Sequence, residues 1–548
     1  MISAVPGQAK PWRAADSRAS PLAAAATLAL CIVIAGCAAL AKGQDANWDL
    51  QNYHFYDPWA LVHGRLLSFD VVAAQLQTFH NPALDLAFYA MVAADWPPRV
   101  VAFALAMPAG VAAFFLLRIV EALFAGRDRA LRRTLRAAAF AIGITGAIGW
   151  AVLGTTMNEW PIAALVLAAL WVLVRAIVST APRLPVRALV IAGVIAGIAS
   201  GLKLTAATFA LAICLALLLR HQRWRMLPMA ARDAAWFGAG VAGGLAASIG
   251  WWCALLWSHF GNPVFPYLNE WFHSPWWYAA PVLERAFGPF TIEGWLSFPY
   301  DLFRPRPFFA AEVPYRDARV PALYTLALVA GAVSLTAFVA SAAMRRRARS
   351  EAQTPWPFIA TFWLVAFILW TAQHSIYRYM LPLELLSGAL IVGLAYRLVR
   401  SRALPVVVTI LALTIIGTTR WPDWGHVAFG ERWFDVRAPR VAPGAMVVLA
   451  SDAPIAYMLP FLGENARYVG AYNSLIRPEH ETMLNQWAES AIRDHAGPLY
   501  SLAHDDAMAS SAYAAHKLAV VPGSCAPVQT NMPGATVSLC KLIRTEKP

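Results

Sequence analysis

Charge is scarce in this chain of 548 residues. Asp, Glu, Lys and Arg make up 14% of it, while 59% is hydrophobic and the mean hydropathy is +0.52. Soluble domains carry about 25% charged residues, so the shortage excludes a soluble globular enzyme and identifies a polytopic membrane protein. Acids are scarcer still, 31 against 44 basic residues, for a net charge of +13. No Gly-rich phosphate loop and no Asp-x-Asp pair in a soluble α/β region is present, which argues against a nucleotide-sugar enzyme. Cysteine is sparse, and no Cys/His spacing suggests zinc. Cys31, Cys37, Cys214 and Cys253 lie in apolar runs and read as packing residues. Cys525 and Cys540 lie in the polar tail, where a disulfide between them would tie down the C-terminus if that tail is extracytoplasmic.

The basic residues that are present sit in clusters between apolar runs. These are Gly126–Arg136, Pro182–Arg187, Arg220–Arg225, Arg345–Arg349 and Arg397–Arg402. Short Lys/Arg-rich loops stay on the cytoplasmic side of a membrane, so the positive charge is a topology signal and does not indicate nucleic-acid binding. Runs of about 20 apolar residues place spans near 21–41, 99–124, 137–153, 161–179, 188–201, 203–219, 234–257, 321–343, 356–372, 379–396 and 403–419. The pair 188–201 and 203–219 reads either as two spans or as one long span with a re-entrant piece. With two, about 11 spans result, the N-terminus is cytoplasmic, and each Arg cluster falls on the cytoplasmic face. Residues 1–20, with Lys10, Arg13 and Arg18, resemble a signal-peptide start, but the following run lacks a cleavage site and reads as a retained anchor.

The expected architecture is therefore an all-α transmembrane domain over 21–420 with outer loops 42–98 and 258–320. A small C-terminal α/β domain, 421–548, follows on the outer side. The richness in Arg and Ala points to a GC-rich bacterial genome, hence an inner membrane with a periplasmic face.

A carboxylate at the edge of a span is costly in lipid and faces a cavity. Asp49 follows the first span in NWDLQNYH, and Glu159 lies in the short outer turn before the fourth span. Both fall at one membrane level, where two carboxylates can deprotonate and orient an acceptor hydroxyl or hold a divalent metal. Glu159 reads equally as a helix start, with Asn158 before it and Pro161 after. Asp49 has unusual anchor-flanking neighbours in Asn52, Tyr53 and His54, and His80, Asn81 and Asp85 follow in TFHNPALD; these six are candidate substrate-lining residues, the last three equally suited to capping. Two cations suit a phosphate: Lys203, near the outer end of its span, and Arg378, beside His374 and Tyr377. Snorkelling to the interface is the plain alternative for Lys203.

With these residues quoted, the layout resembles the GT-C superfamily of polyprenyl-phosphate-sugar-dependent glycosyltransferases, which includes protein mannosyltransferases and aminoarabinose transferases. Gly201–Leu211, Phe260–Pro275 and Tyr377–Leu386 resemble segments found in its bacterial members. The resemblance implies catalytic roles for Asp49 and Glu159 and donor-phosphate binding by Arg378 and Lys203. It also implies a lipid, glycan or protein acceptor, and transfer with inversion. Many members carry adjacent Asp-Glu at the first acid where this chain has Asp-Leu, so Asp45, Asp49 and Asp57 all stand as candidates for the base. Two other classes fit the same charges: a transporter or flippase for a lipid-linked substrate, which would place ionisable residues at mid-bilayer, and a non-catalytic scaffold of the same build.

Overall fold

The computed structural model describes residues 20–125, 128–179, 183–220, 224–282, 287–304, 309–341, 354–463, 465–504, 507–534 and 536–545. The N-terminal basic stretch and the Arg345–Arg349 cluster lie outside them. Apolar sequence folds as helix throughout the first part: α1 (Pro21–Lys42), α2 (Pro98–Leu123), α3 (Arg129–Ile144), α4 (Glu159–Ser179), α5 (Val186–Leu202), α6 (Ala207–Leu218), α7 (Leu227–Phe260), α8 (Arg319–Ser341), α9 (Trp356–Gln373), α10 (Leu381–Leu398) and α11 (Leu404–Thr418). Among the described residues six helices are long and apolar enough to cross a membrane: α1, α2, α4, α7, α9, and α10 with the single 3-10 turn before it. Shorter apolar helices fill in between them, and α5 and α6 are separate helices, broken at Lys203.

One expected span is not continuous. The run 137–153 is divided between α3 and a short helix, Ala147–Ala151, because the Glu384 carboxylate takes the N–H groups of Ile148 (2.9 Å) and Gly149 (2.8 Å). That carboxylate starts a new helix where the old one would have continued. A side chain at Gly146 would collide with it, its Cβ falling 1.9 Å from the carboxyl carbon. At the other end of the short helix, Lys42 Nζ donates to the carbonyls of Trp150 and Ala151 at 2.6 Å.

Helices α5 and α7 pack through small residues spaced four apart, Gly193, Gly197 and Gly201 against Gly240, Gly244 and Ser248. A Cβ at Gly197 would lie 2.2 Å from the Val241 carbonyl, and one at Gly244 2.2 Å from that of Val194. Such close approach replaces the hydrophobic drive that lipid cannot supply. It fixes the end of α5, where Lys203 emerges.

After α11 the chain becomes mixed. A two-stranded ribbon joins β1 (Gln44–Asp45) to β2 (His426–Val427). Six further strands form the C-terminal sheet: β3 (Met446–Ala450), β4 (Arg467–Tyr472), β5 (Leu499–Ala503), β6 (Leu518–Val520), β7 (Ala526–Val528) and β8 (Val537–Arg544). Their order is β4-β3-β5-β8-β6, with β7 also on β8; β3 runs parallel to β4 and β5, and β8 antiparallel to its neighbours. A disulfide joins Cys525 to Cys540. The free edge of β4 is met by the first long loop. Val71 N–H donates to the Tyr468 carbonyl at 2.9 Å, and Gly470 N–H to Val71 at 2.8 Å.

Gly197→Leu should lower the melting temperature markedly, since overpacking costs about 1–3 kcal/mol and the clash here is with backbone. Gly238→Leu, where an added Cβ meets nothing within 4 Å, should be neutral. Melting temperatures in detergent compare the two.

Candidate functional site

The first loop enters the site through a π-helical turn, Leu50–His54, with Asp49 at its head. This wider turn sets residues five apart above one another, and such turns recur at functional sites. Asp49 and His54 are so related. Asp49 is 8% exposed and forms an ion pair with Arg378. Burial works against its ionisation, and Arg378, with His54 and Lys203, more than offsets that, holding the carboxyl below the usual range. Asp49 is therefore a carboxylate at neutral pH.

The second acid sits opposite. Glu159 opens α4, is 4% exposed, and its Oε1 lies 2.6 Å from Lys203 Nζ; its Oε2 has no hydrogen-bond partner. Tyr379 bridges the two pairs, with Lys203 Nζ 4.7 Å and the Arg378 guanidinium 5.2 Å from its ring centre. A narrow groove, with about 10 Å³ of open space, lies beside the Glu159–Lys203 pair, lined by Glu159, Lys203 and Tyr379 and by apolar Ile162, Phe209 and Leu381. Two acids and two cations thus converge beside an apolar wall.

Of the three candidate aspartates, only Asp49 reaches the cations. Asp45 is fully committed: it accepts from the Thr156 N–H (2.7 Å), the Thr156 hydroxyl (2.8 Å), and the N–H and side-chain amide of Asn47 (3.1 and 2.7 Å). It ties the first loop to the turn that presents Glu159. Asp57 is 1% exposed and neither oxygen has a hydrogen-bond partner. Burial, with the Asp85 charge nearby, drives its carboxyl well above the ordinary range, so it is neutral.

The expected lining residues divide. His54 and Asp85 stand together, His54 Nδ1 lying 2.8 Å from Asp85 Oδ1, and Asn158 donates to the same oxygen at 3.2 Å. Tyr53 packs on His54 with ring centres 4.0 Å apart and meets His80 edge-on at 5.6 Å. His80 Nε2 contacts the Tyr267 hydroxyl at 2.9 Å; burial lowers its pKa to about 4, so it is neutral. His374 lies edge-on to Tyr379 at 5.8 Å, its pKa lowered by burial and then by Lys203. Three residues turn elsewhere. Asn81 caps the 3-10 turn Pro82–Leu84 and donates to the carbonyls of Gly201 and Ser248 at 3.0 and 3.1 Å. It is a brace between the loop and the α5–α7 pair, which is the capping role its sequence also allowed. Asn52 donates to the Ala74 carbonyl and to Gln77. Tyr377 points away from Arg378 because consecutive residues of a 3-10 turn face different sides. It stacks on Tyr315 at 3.8 Å and donates to Asp317 Oδ2 at 2.6 Å.

Tyr379 and Tyr267 were not among the expected residues; the alternation in Tyr377-Arg378-Tyr379 was the available signal for the first. Among the described residues no group of three or more His, Cys, Asp or Glu side chains is placed to hold a metal ion. Asp49 and Glu159 are each engaged by a cation instead.

No family model matches the chain, and no curated protein does. Among solved structures it is similar to ArnT from Cupriavidus metallidurans bound to undecaprenyl phosphate, at 11% identity over 96% of this chain and 100% of that one, with a TM-score of 0.47. It is also similar to the oligosaccharyltransferase AglB from Archaeoglobus fulgidus in complex with an inhibitory peptide and a dolichol-phosphate, at 12% identity over 89% and 70% of the chains, with a TM-score of 0.44. An A. fulgidus oligosaccharyltransferase structure with Zn and sulfate gives 11% identity, 86% and 68% coverage, and a TM-score of 0.44.

The aspartates should separate by stability. Asp45→Asn sets an amide donor against the Thr156 N–H and should cost about 1–3 kcal/mol. Asp57→Asn replaces a neutral acid by its near-isostere and should leave thermal unfolding unchanged.

Proposed function

We propose that this chain is an integral-membrane glycosyltransferase that takes a sugar from a polyprenyl phosphate carrier and passes it to an acceptor at the periplasmic face of a bacterial inner membrane. On this reading residues 21–420 form the membrane domain, with the N-terminus cytoplasmic and loops 42–98 and 258–320 outside. Residues 421–548 form a periplasmic domain.

The observation that carries the reading is the four-membered charge cluster, Asp49 with Arg378 and Glu159 with Lys203, of which Glu159 and Lys203 line a groove with one apolar wall. A lipid phosphate needs both halves of that groove. Its phosphate takes the paired donors of arginine and the point charge of lysine, and its isoprenoid lies against Ile162, Phe209 and Leu381. In the ligand-free site those cations are occupied by the acids. Arrival of the phosphate draws them off, and the freed carboxylates then face the acceptor.

The acceptor oxygen attacks the anomeric carbon as the bond from that carbon to the phosphate oxygen breaks. The prenyl phosphate departs with the electron pair, its charge met by Arg378 and Lys203. Asp49 takes the proton of the acceptor hydroxyl and Glu159, through its free Oε2, orients that hydroxyl. Inversion at the anomeric carbon follows from a single displacement, as the resemblance implies.

Asp49→Asn should abolish transfer from radiolabelled polyprenyl-phosphate sugars in membranes. The same variant should bind polyprenyl phosphate several-fold more tightly, because Arg378 loses its competing partner. Arg378→Ala and Lys203→Ala should weaken that binding at least about tenfold, about 1.4 kcal/mol. Wild-type transfer by Asp49→Asn, or unchanged binding in both cation variants, overturns the assignment.

A further inference from the structure

A base paired with an arginine and held below the ordinary carboxylate range is a poor resting place for a proton. Asp49, freed of Arg378 by the donor phosphate, can accept one as the acceptor attacks, but once Arg378 returns its neutral form is disfavoured, and the proton must go on for the site to reset. His54 stands one π-helical turn away. Its side chain is 1% exposed, its Nδ1 lies 2.8 Å from Asp85 Oδ1, and its Nε2 is buried with no hydrogen-bond partner. A carboxylate at Nδ1 fixes the tautomer with the hydrogen on that nitrogen, leaving the Nε2 lone pair free to accept. A buried imidazole nitrogen without a partner is costly, and this one sits on the same turn as the acid.

We propose that His54, held by Asp85, is the proton-relay residue of the site: it takes onto Nε2 the proton that Asp49 receives from the acceptor hydroxyl. The inference rests on the glycosyl-transfer reading above and extends it. The balance is simple. The O–H bond of the acceptor breaks as its oxygen bonds to the sugar, Asp49 holds the proton transiently, and an N–H bond forms at His54 Nε2. The carboxylate of Asp49 is restored. No further reactant is required, and the imidazolium passes its proton to water when the site opens for product release.

The charged surroundings support this order. Burial alone would favour neutral His54, and Asp85, then Asp49, reverse that and raise its pKa above the ordinary histidine value; Lys203 acts the other way. His80, on the far side of Tyr53, is kept neutral and is no competitor. Asp57, neutral itself, faces Asp85, and on the neighbouring segment Ala456–Phe461 the Tyr457 hydroxyl is occupied with Thr530 at 3.1 Å. The relay accepts only when His54 is neutral. Activity should therefore fall as pH drops through the raised His54 pKa, an acid limb that Asp49 alone would place far lower.

The test is single-turnover transfer from a polyprenyl-phosphate sugar between pH 5 and 9 for wild type, His54→Gln and Asp85→Asn, with polyprenyl phosphate binding measured alongside. His54→Gln should lose at least tenfold of the rate and the acid limb with it, while binding stays within about twofold, which also shows that the variant is folded. Asp85→Asn should keep the limb but move it to lower pH, a shift that a merely structural contact would not produce. An acid limb unchanged in both variants overturns the relay while leaving the transferase reading intact. Wild-type protein that binds no prenyl phosphate and transfers no sugar overturns both.

Discussion

A carboxylate removed from water must be met by a cation, by several N–H groups, or by a proton, and the loops around the site are arranged by that requirement. Asp49 and Glu159 are met by Arg378 and Lys203, Asp45 by the Thr156 turn, and Asp85 by His54 and Asn158. Asp70 is held by Arg65 at 2.8 Å and by the Tyr468 N–H at 2.9 Å. Glu384 is met by the start of the short helix that leads to Glu159. Asp57, which neither a cation nor an N–H group meets, takes a proton instead. In nearly every case the partner comes from a distant part of the chain, so neutralising the acids also joins the loops. The electrostatics that create a site are the same ones that hold its walls in place.

The helices supply the platform. Lys203 stands where α5 gives way to α6, and that point is fixed because α5 and α7 approach through glycines. Asn81 then bonds the end of α5 and the interior of α7, at Gly201 and Ser248, and carries the register of the packed pair into the first loop. Placement of the Lys203 ammonium thus depends on a stripe of missing side chains along α5 and α7.

How much of this was legible in the sequence varies with the range of the interaction involved. Helix positions could be read, because a run of apolar residues is a local property. The residue types of the site could be read as well: Asp49, Glu159, Lys203 and Arg378 are ionisable groups at the edges of apolar runs, where a cavity is the cheaper surrounding. Their pairing could not be, since Asp49 and Arg378 are 329 residues apart. The break after α3 was hidden for the same reason, its cause lying 236 residues away in Glu384. Asn52, Asn81 and Tyr377 have the right chemistry and the right neighbourhood, yet their side chains serve backbone carbonyls and a separate buried network. Only orientation distinguishes such residues from substrate contacts, and a one-dimensional pattern does not hold it.

The seam between the first loop and strand β4 has a consequence for how the molecule is made. Tyr468 bonds Asp70 across 398 residues. At translation rates of about 5–20 residues per second, the loop is synthesised on the order of tens of seconds before the strand that completes its edge. During that interval its buried acids have none of their late-arriving partners. The loop therefore leaves the ribosome with Asp49 lacking Arg378 and Asp70 lacking the Tyr468 N–H, and the strand that closes the seam is made long after it.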